Sequence, residues 1–346
     1  MTRKALLIRQ LSITLATLFA VLLLQWTAAY IAIPFAGSIF IPLQRFRCFL
    51  LGRIPFSVGD VLYAIMIAWI LWKLVRFLRL KQKDRSWLLA FISLARITLA
   101  FYLLITILWG ILYEQPKLSK SLSLPDLHEI SNEELIAFDS VLISRLNHYE
   151  PLFRKTDASQ CSRELSGTYL SMQRPMRVSV KPSLLGEGLA YWGVSGYYNP
   201  FTGEAQVNAH EPDFMLPFVV AHEMAHQTGI AAEDDANLMA YIACVENGSD
   251  HARFSAYFNI WLYTHRKVRR IDSNIATHLK LQLNQGTLNR IDVLKKRDEH
   301  FHTWLDDCSS MLFDLYLKMG NQEEGIYSYR NVAYSALAWE KAKAKK

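Results

Sequence analysis

The chain of 346 residues is 51% hydrophobic and carries a formal net charge of +7, a length that suits one large domain or two modest ones. The charge is unevenly placed: residues 1–113 hold 13 Lys and Arg against 2 Asp and Glu, whereas residues 114–346 hold 25 against 29. The basic excess therefore belongs to the apolar N-terminal part, and the mildly acidic remainder excludes a nucleic-acid partner, which would require a basic face.

Three apolar runs lead the chain, at about residues 11–33, 58–78 and 88–112. The first is free of charge, the second has Asp60 at its start and Lys73 and Arg76 near its end, and the third is interrupted only by Arg96. Crossing a hydrocarbon core of ~30 Å takes roughly 20 residues, so all three are read as transmembrane helices of an anchor covering residues 1–113. A cleaved signal peptide does not fit the first run, which is too long, ends in IAIPF and is followed by two more. Arg96 is expected to face a neighbouring span or to snorkel. Arg3, Lys4 and Arg9 precede the first span, and Arg76, Arg79, Lys81, Lys83 and Arg85 lie between the second and third. The positive-inside rule places both segments in the cytoplasm and everything after about residue 113 outside it, although Arg45, Arg47 and Arg53 weaken the asymmetry. The expected location is the bacterial cytoplasmic (inner) membrane, multi-pass, with an extracytoplasmic C-terminal domain.

Residues 114–127 (EQPKLSKSLSLPDL), rich in Ser, Lys and Pro, read as a linker. In SNEELIAFDSVLISRLNHYEPLF, Ser131 and Glu134 have the spacing of a capping box, and Leu135, Phe138, Val141, Leu142 and Leu146 follow at helical spacing. A further helix is predicted around 159–172. Strand character is confined to residues 176–209: Val178 and Val180 alternate with polar neighbours, and Asn199-Pro200 with Gly203 mark the turn of a hairpin at about 193–208. A small antiparallel sheet is expected from these runs. After Pro212 the pattern is helical up to a basic tail, KAKAKK at 341–346, expected as a frayed, solvated end. The four cysteines, Cys48, Cys161, Cys244 and Cys308, form no C-x-x-C pair; a Cys-based zinc site has no support, and one disulfide among the last three stays open.

The chemistry is concentrated in PFVVAHEMAHQTGIAAEDDANLMAYIAC, residues 217–244. His222 and His226, with Glu223 between them, form H-E-x-x-H. On a helix residues i and i+4 share a face, so both imidazoles can reach one ion. Glu223, turned about 100° away, can approach a water beside that ion without taking a coordination position. A hydrolytic zinc site needs three protein ligands and an open position; this spacing supplies two ligands and a base. Burying such a run without a partner for its polar groups would be costly. Gly229 can end the helix in a left-handed conformation, and a second helix then opens with acidic residues where its dipole favours them. Glu233 and Asn237 again share a face, and Asn237 can accept the free N–H of a ligand histidine and fix its tautomer. Asp234 and Asp235 read as dipole partners first and ligands second. Ala236, Ala240 and Ala243 give the second helix a small-residue face to lay against the first.

HExxH followed by a helix bearing E-x-x-A-N resembles the gluzincin group of zincin metallopeptidases. The resemblance implies His222, His226 and Glu233 as ligands of Zn2+, Glu223 as general base toward a zinc-bound water, and Asn237 as the support of a ligand histidine. Only six residues separate His226 from Glu233, fewer than in many gluzincins, so Asp235 also stays open as the third ligand. His226-x-x-Gly229 is similar to the metzincin turn, but Ala232 stands where that family has its third histidine. Through PFSVGD, GYYNPFTGEAQVN and YLKMGNQEEGIYSY, most of the chain also resembles an uncharacterised bacterial family of membrane-anchored HExxH proteins, a domain of unknown function. That implies a mostly α, α+β zincin-like domain at 128–340 behind the three spans. The expected activity is that of a membrane-anchored zinc metalloendopeptidase, taking peptide or protein substrates outside the cytoplasm; the alternative is an inactive zincin-like domain that binds a cell-envelope partner, and a metal-free membrane scaffold is the third reading. An extended substrate is expected to add as a strand beside the metal helix. Tyr316, Tyr329, His251 and His265 are the candidates to steady the developing oxyanion. An intramembrane protease does not fit, because the HExxH run is short and acidic sequence follows it.

Overall fold

Three helices long and apolar enough to cross a membrane open the computed structural model, which describes residues 3–79, 87–171, 178–319 and 331–345. Helix α1 (Arg3–Phe35) overruns the first predicted span and continues through a π-helical turn (Ala36–Phe40) into α2 (Ile41–Leu51). Pro34 and Pro42 each withhold an amide donor, and the widened turn lies between them. Helix α3 (Val58–Leu78) matches the second predicted run, and α4 (Trp87–Leu108) is the third. At 1.5 Å per residue both are about 32 Å long, close to the thickness of a hydrocarbon core. The third run does not stay in α-helix to residue 112: Gly110–Glu114 is a 3-10 turn whose Ile111, Leu112 and Tyr113 are buried against protein. Arg96 faces α1, as expected, and donates to Gln10 there; Gln25 Nε2 donates to Tyr102 Oη at 2.9 Å, a second polar stitch between α1 and α4.

The rest of the chain supplies α5 (Leu118–Ser121), α6 (Asn132–Tyr149), α7 (Ala158–Ser171), β1 (Val180–Pro182), α8 (Gly186–Tyr191), β2 (Gly196–Tyr198) and β3 (Ala205–Val207). Then come α9 (Leu216–Gln227), α10 (Glu233–Asn247), α11 (Asp250–Ile271), α12 (Ser273–Lys280), α13 (Gln285–Phe301), α14 (Trp304–Met319) and α15 (Val332–Ala344). Ser131 and Glu134 form the capping box that opens α6. The core gathers around α9, whose Val220, Ala221, Met224 and Ala225 are wholly buried against residues of α7, α10 and α11. Each large apolar side chain buried this way contributes about 1.5–3 kcal/mol.

The sheet corrects the expectation of an antiparallel one. Its order is β1-β3-β2, with β2 antiparallel to β3 but β1 parallel to it. The chain leaves β1 through α8 and returns along β2, so β3 runs in the direction of β1. The 114–127 segment is docked rather than loose: Lys117 pairs with Asp234 at 2.8 Å, Gln115 Nε2 donates to the Gly229 carbonyl at 2.8 Å, and Leu118, Leu124 and Leu127 pack on the core. The C-terminal segment, expected as a frayed end, is helical through Ala344, where Lys341 pairs with Glu134 and Lys343 with Glu246. All four cysteines are free.

The apolar helices and the C-terminal domain share a junction. Phe35, Phe40, Trp109, Ile111 and Leu112 form one buried cluster with Tyr198 and Ala231. Around it, Glu204 accepts from the first amides of α3, at Val58 (3.2 Å) and Gly59 (2.7 Å), and from Lys181 Nζ (2.6 Å). Lys181 also donates to the Leu51 and Phe56 carbonyls, while Asp60 accepts from Ser183, Leu184 and Tyr197. Gln44 binds the Gly203 carbonyl and the Tyr198 hydroxyl, and Arg47 is buried beside it. Glu204→Ala strips a buried ammonium of its partner, so it is expected to cost about 3–5 kcal/mol. The readout is the Tm of the full chain in detergent; an unchanged Tm would show that the pair contributes nothing.

Candidate metal centre

Helix α9 begins with Pro217 in its first turn, and its Phe218 amide is taken by Ser255 Oγ of α11 at 3.1 Å. It ends at Gly229, whose φ of +89° is the left-handed conformation, with the Ile230 amide reaching back to the Ala225 carbonyl. A Cβ at Gly229 would also stand 2.9 Å from the Phe40 ring. This tight reversal lets a six-residue gap bring the first turn of α10 beside the last turns of α9. Ala236, Ala240 and Ala243, all fully buried, permit the close packing.

His222, His226 and Glu233 meet in one place. The His222 and His226 Nε2 atoms are 3.0 Å apart, Glu233 Oε2 is 3.1 Å from the first and Oε1 is 3.6 Å from the second. In a tetrahedral zinc site with bonds of about 2.0–2.1 Å, neighbouring ligand atoms stand about 3.3 Å apart, within this range. The far side of each ring is also held: His226 Nδ1 donates to the Ile230 carbonyl at 2.7 Å, and His222 Nδ1 lies 3.1 Å from Asn237 Oδ1. With hydrogens on Nδ1, both Nε2 atoms turn lone pairs toward each other and toward a carboxylate. Three electron-rich atoms so close need positive charge among them, from a metal ion or from a proton on one ring. The donor set, two imidazoles and one carboxylate, suits zinc. Asp235 does not join it; it lines a small recess with Gln115 and Pro116, and Asp234 is occupied by Lys117.

Glu223 is buried beside the triad, and its Oε2 has no hydrogen-bond partner among the described residues. Burial raises its carboxyl to about 7, against the opposing pull of the two histidines. Burial works against a charged His226, but the Glu233 carboxylate outweighs it and lifts the imidazole to about 9. Burial likewise opposes the charge on Glu233, yet His226 and His222 hold it well below the usual carboxylate range.

The triad opens into a cleft of about 670 Å³. Its walls carry β2, Trp192, Met215, Asn259 and Tyr263, together with Ile105, Trp109 and Tyr113 from the end of α4 and the turn after it. The Trp109 ring meets His226 edge-on at 5.6 Å and lies over Tyr198 at 4.4 Å. Gly196 is a site residue with no local signal in the sequence: a Cβ there would fall 2.7 Å from Glu223 Oε1 and 2.8 Å from the Gln206 carbonyl. Only glycine lets the strand approach the carboxylate this closely. Tyr263 was also missed; burial pushes its phenol up to about 12. Two of the oxyanion candidates are engaged elsewhere, His251 with Glu164 and His265 with Asp139. Tyr316 falls on α14, and Tyr329 lies outside the described residues.

These features define a class: a helical domain with three apolar, membrane-length helices and a largely buried His-His-Glu cluster near their junction. The chain belongs to the family described as protein of unknown function DUF3810, which matches residues 35–334. No curated protein and no solved structure matches it.

Because His226 sits near 9 rather than its ordinary 6.5, the metal-free chain holds a proton there at neutral pH. The ion pair with Glu233 is fully formed below about 6.5 and is lost as pH rises through 9. Zinc uptake at neutral pH is therefore expected to release about one proton per ion. Calorimetry in two buffers of different ionisation enthalpy reads that number, and zero release contradicts the assignment.

Proposed function

We propose that the protein is a zinc-dependent peptidase held at a membrane, with His222, His226 and Glu233 as the ligands of one Zn2+. The observation that carries this reading is the 3.0–3.6 Å triangle of two Nε2 atoms and a carboxylate with Glu223 buried beside it. A zinc ion held there supplies Lewis acidity toward a carbonyl and toward water. Glu223 is the proton carrier: its unpartnered Oε2 takes a proton from the attacking water and returns it to the leaving amine. Burial, which disfavours the charged carboxylate, favours a group that takes up a proton and passes it on. Asn237 and the Ile230 carbonyl keep the two imidazoles turned to the centre. Tyr263, whose phenol burial holds in its protonated form, lines the same cleft and is a candidate donor to a developing oxyanion.

The substrate backbone has a natural place. Strand β2 is at the edge of the sheet, and its register with β3 turns the N–H and C=O groups of Gly196 and Tyr198 to the open side. An extended peptide added there runs past Glu223, which fits recognition by strand addition. Helix connectivity and charge together support an extracytoplasmic domain. Residues 36–60 and 105–113 meet the domain, leaving the start of α1, the end of α3 and the start of α4 at the far end. The sequence is rich in Lys and Arg next to those three helix ends, which supports a cytoplasmic placement for them, and so an extracytoplasmic domain.

Glu223→Gln is expected to keep one zinc per chain and lose hydrolysis by at least about 100-fold; metal analysis beside a peptide-library digest reads both. Wild-type activity in the variant removes Glu223 from the role. Metal retained with no cleavage by the wild type favours instead an inactive domain that binds a cell-envelope partner, and absence of metal binding removes the reading altogether. Gly196→Ala is expected to spare metal binding and lower activity by about tenfold or more, because the added methyl displaces the carboxylate. Unchanged kcat in that variant would mean the strand does not set the position of Glu223.

A further inference from the structure

We propose, resting on the peptidase reading above, that the substrate is a polypeptide leaving the bilayer beside α4, cut within a few residues of the membrane surface. The walls of the cleft make the first argument. Ile105 lies inside the third apolar helix, and Trp109 directly follows its last residue, yet both line the cleft that holds His222, His226 and Glu233. The Trp109 ring touches the His226 ring. The cluster therefore stands one side chain away from the end of a membrane-length helix. The other two apolar stretches also meet the domain nearby: Phe40, in the turn between α1 and α2, lies under Gly229, and Gly59, at the start of α3, lies against Asn199 of the hairpin turn.

The hairpin itself makes the second argument. Its tip carries Phe201, whose ring is 5.6 Å from Phe101 of α4 and 6.3 Å from Tyr63 of α3; Tyr63 also meets Tyr197 at 6.4 Å. At 1.5 Å per residue, Phe101 is about 10 Å back from the end of α4 and Tyr63 about 7–8 Å in from the start of α3. Helices as long as the hydrocarbon is thick put those two rings within its depth, and the tip of the β2–β3 turn with them. Strand β2 thus runs from Gly196, beside Glu223, down to a turn wedged between two spans. Gly196 lies at most roughly 16 Å from Phe201, the reach of five residues at about 3.3 Å each, since the chain turns after Tyr198. The reacting bond is then within about 10 Å of the hydrocarbon edge, or about three extended residues beyond it.

A chain paired with the free edge of β2 consequently has one end in the cleft and the other at membrane depth. There Pro200 and Ile105 continue the wall, and Phe101, Leu104 and Ile107 present an exposed apolar side of α4. A soluble peptide would have to carry polar backbone down to that level, at a desolvation cost. A polypeptide that already crosses the bilayer arrives there with its last apolar turn against α4 and its first extended residues in the cleft. The opposite mouth, at the exposed Trp192, lets the remainder of the substrate pass away from the membrane.

The test uses the full, zinc-loaded chain in lipid nanodiscs. One probe is a peptide library with a Leu/Ala span of about 20 residues and a short randomised tail; the other is the same tails without the span. Mass spectrometry maps the cuts, with Glu223→Gln as the background. The expected result is cleavage of the inserted peptides at least about tenfold faster than the free tails, since the span raises the local concentration of the tail at the site. The cuts are expected within about five residues of the span's end. Equal rates on free and inserted tails, or cuts spread evenly along them, overturn this inference and leave the peptidase reading standing. No cleavage of either probe, or hydrolysis of the nanodisc lipids in their place, overturns both.

Discussion

Everything about the site follows from repulsion. Two imidazole lone pairs and a carboxylate are held at 3.0–3.6 Å, largely buried, with each ring fixed from behind by a carbonyl oxygen. A folded chain tolerates this only if positive charge sits among the three atoms. With no metal that charge is the proton on His226, which Glu233 retains well above the imidazole's ordinary range. The same need that raises one group lowers the other, so the opposed behaviour of His226 and Glu233 is one fact seen from two sides. Glu223, a residue away and outside the triangle, feels mainly burial and moves upward.

The scaffold that enforces this crowding is not confined to the HExxH helix. The reversal at Gly229 brings Glu233 in, and the ring of Phe40, from the bend between α1 and α2, closes over the point where a side chain would stand. Gly196 does the equivalent service for Glu223. Tyr198 connects the two halves, with Trp109 on its ring and Gln44 on its hydroxyl. Arg47, one of the arginines that blur the charge asymmetry across the spans, is buried at this junction. Its position reflects packing against the domain as well as membrane topology.

What could be read from the sequence was what depends on neighbours along the chain. The i, i+4 pairs His222/His226 and Glu233/Asn237, the capping box at Ser131 and Glu134, the glycine that ends α9 and the three apolar helices are all local patterns, with periods set by backbone geometry. The small-residue face of α10 belongs with them. What escaped depends on approach between distant segments. Nothing near Gly196 announces that a carboxylate will press against its Cα. Nothing in EQPKLSKSLSLPDL shows that Gln115 and Lys117 will find Gly229 and Asp234. The parallel pairing of β1 was hidden because three-residue strands carry too little alternation to specify a register or a direction. The last residues of the third apolar run were assigned to lipid because hydropathy does not distinguish hydrocarbon from a protein core.

The cap on α3 has a consequence for biosynthesis. The Ser57 hydroxyl can take the Asp60 amide as soon as the helix forms, but the carboxylate that takes the Gly59 amide belongs to Glu204, 145 residues later. At about 5–20 residues per second, the ribosome reaches that glutamate roughly 7–30 s after the helix has been made. During that interval those leading amides can be held only by water or another polar group. The polar joint therefore closes late relative to the synthesis of the helix it caps, and any quality-control protease that senses unsatisfied helix ends has a defined window in which to act.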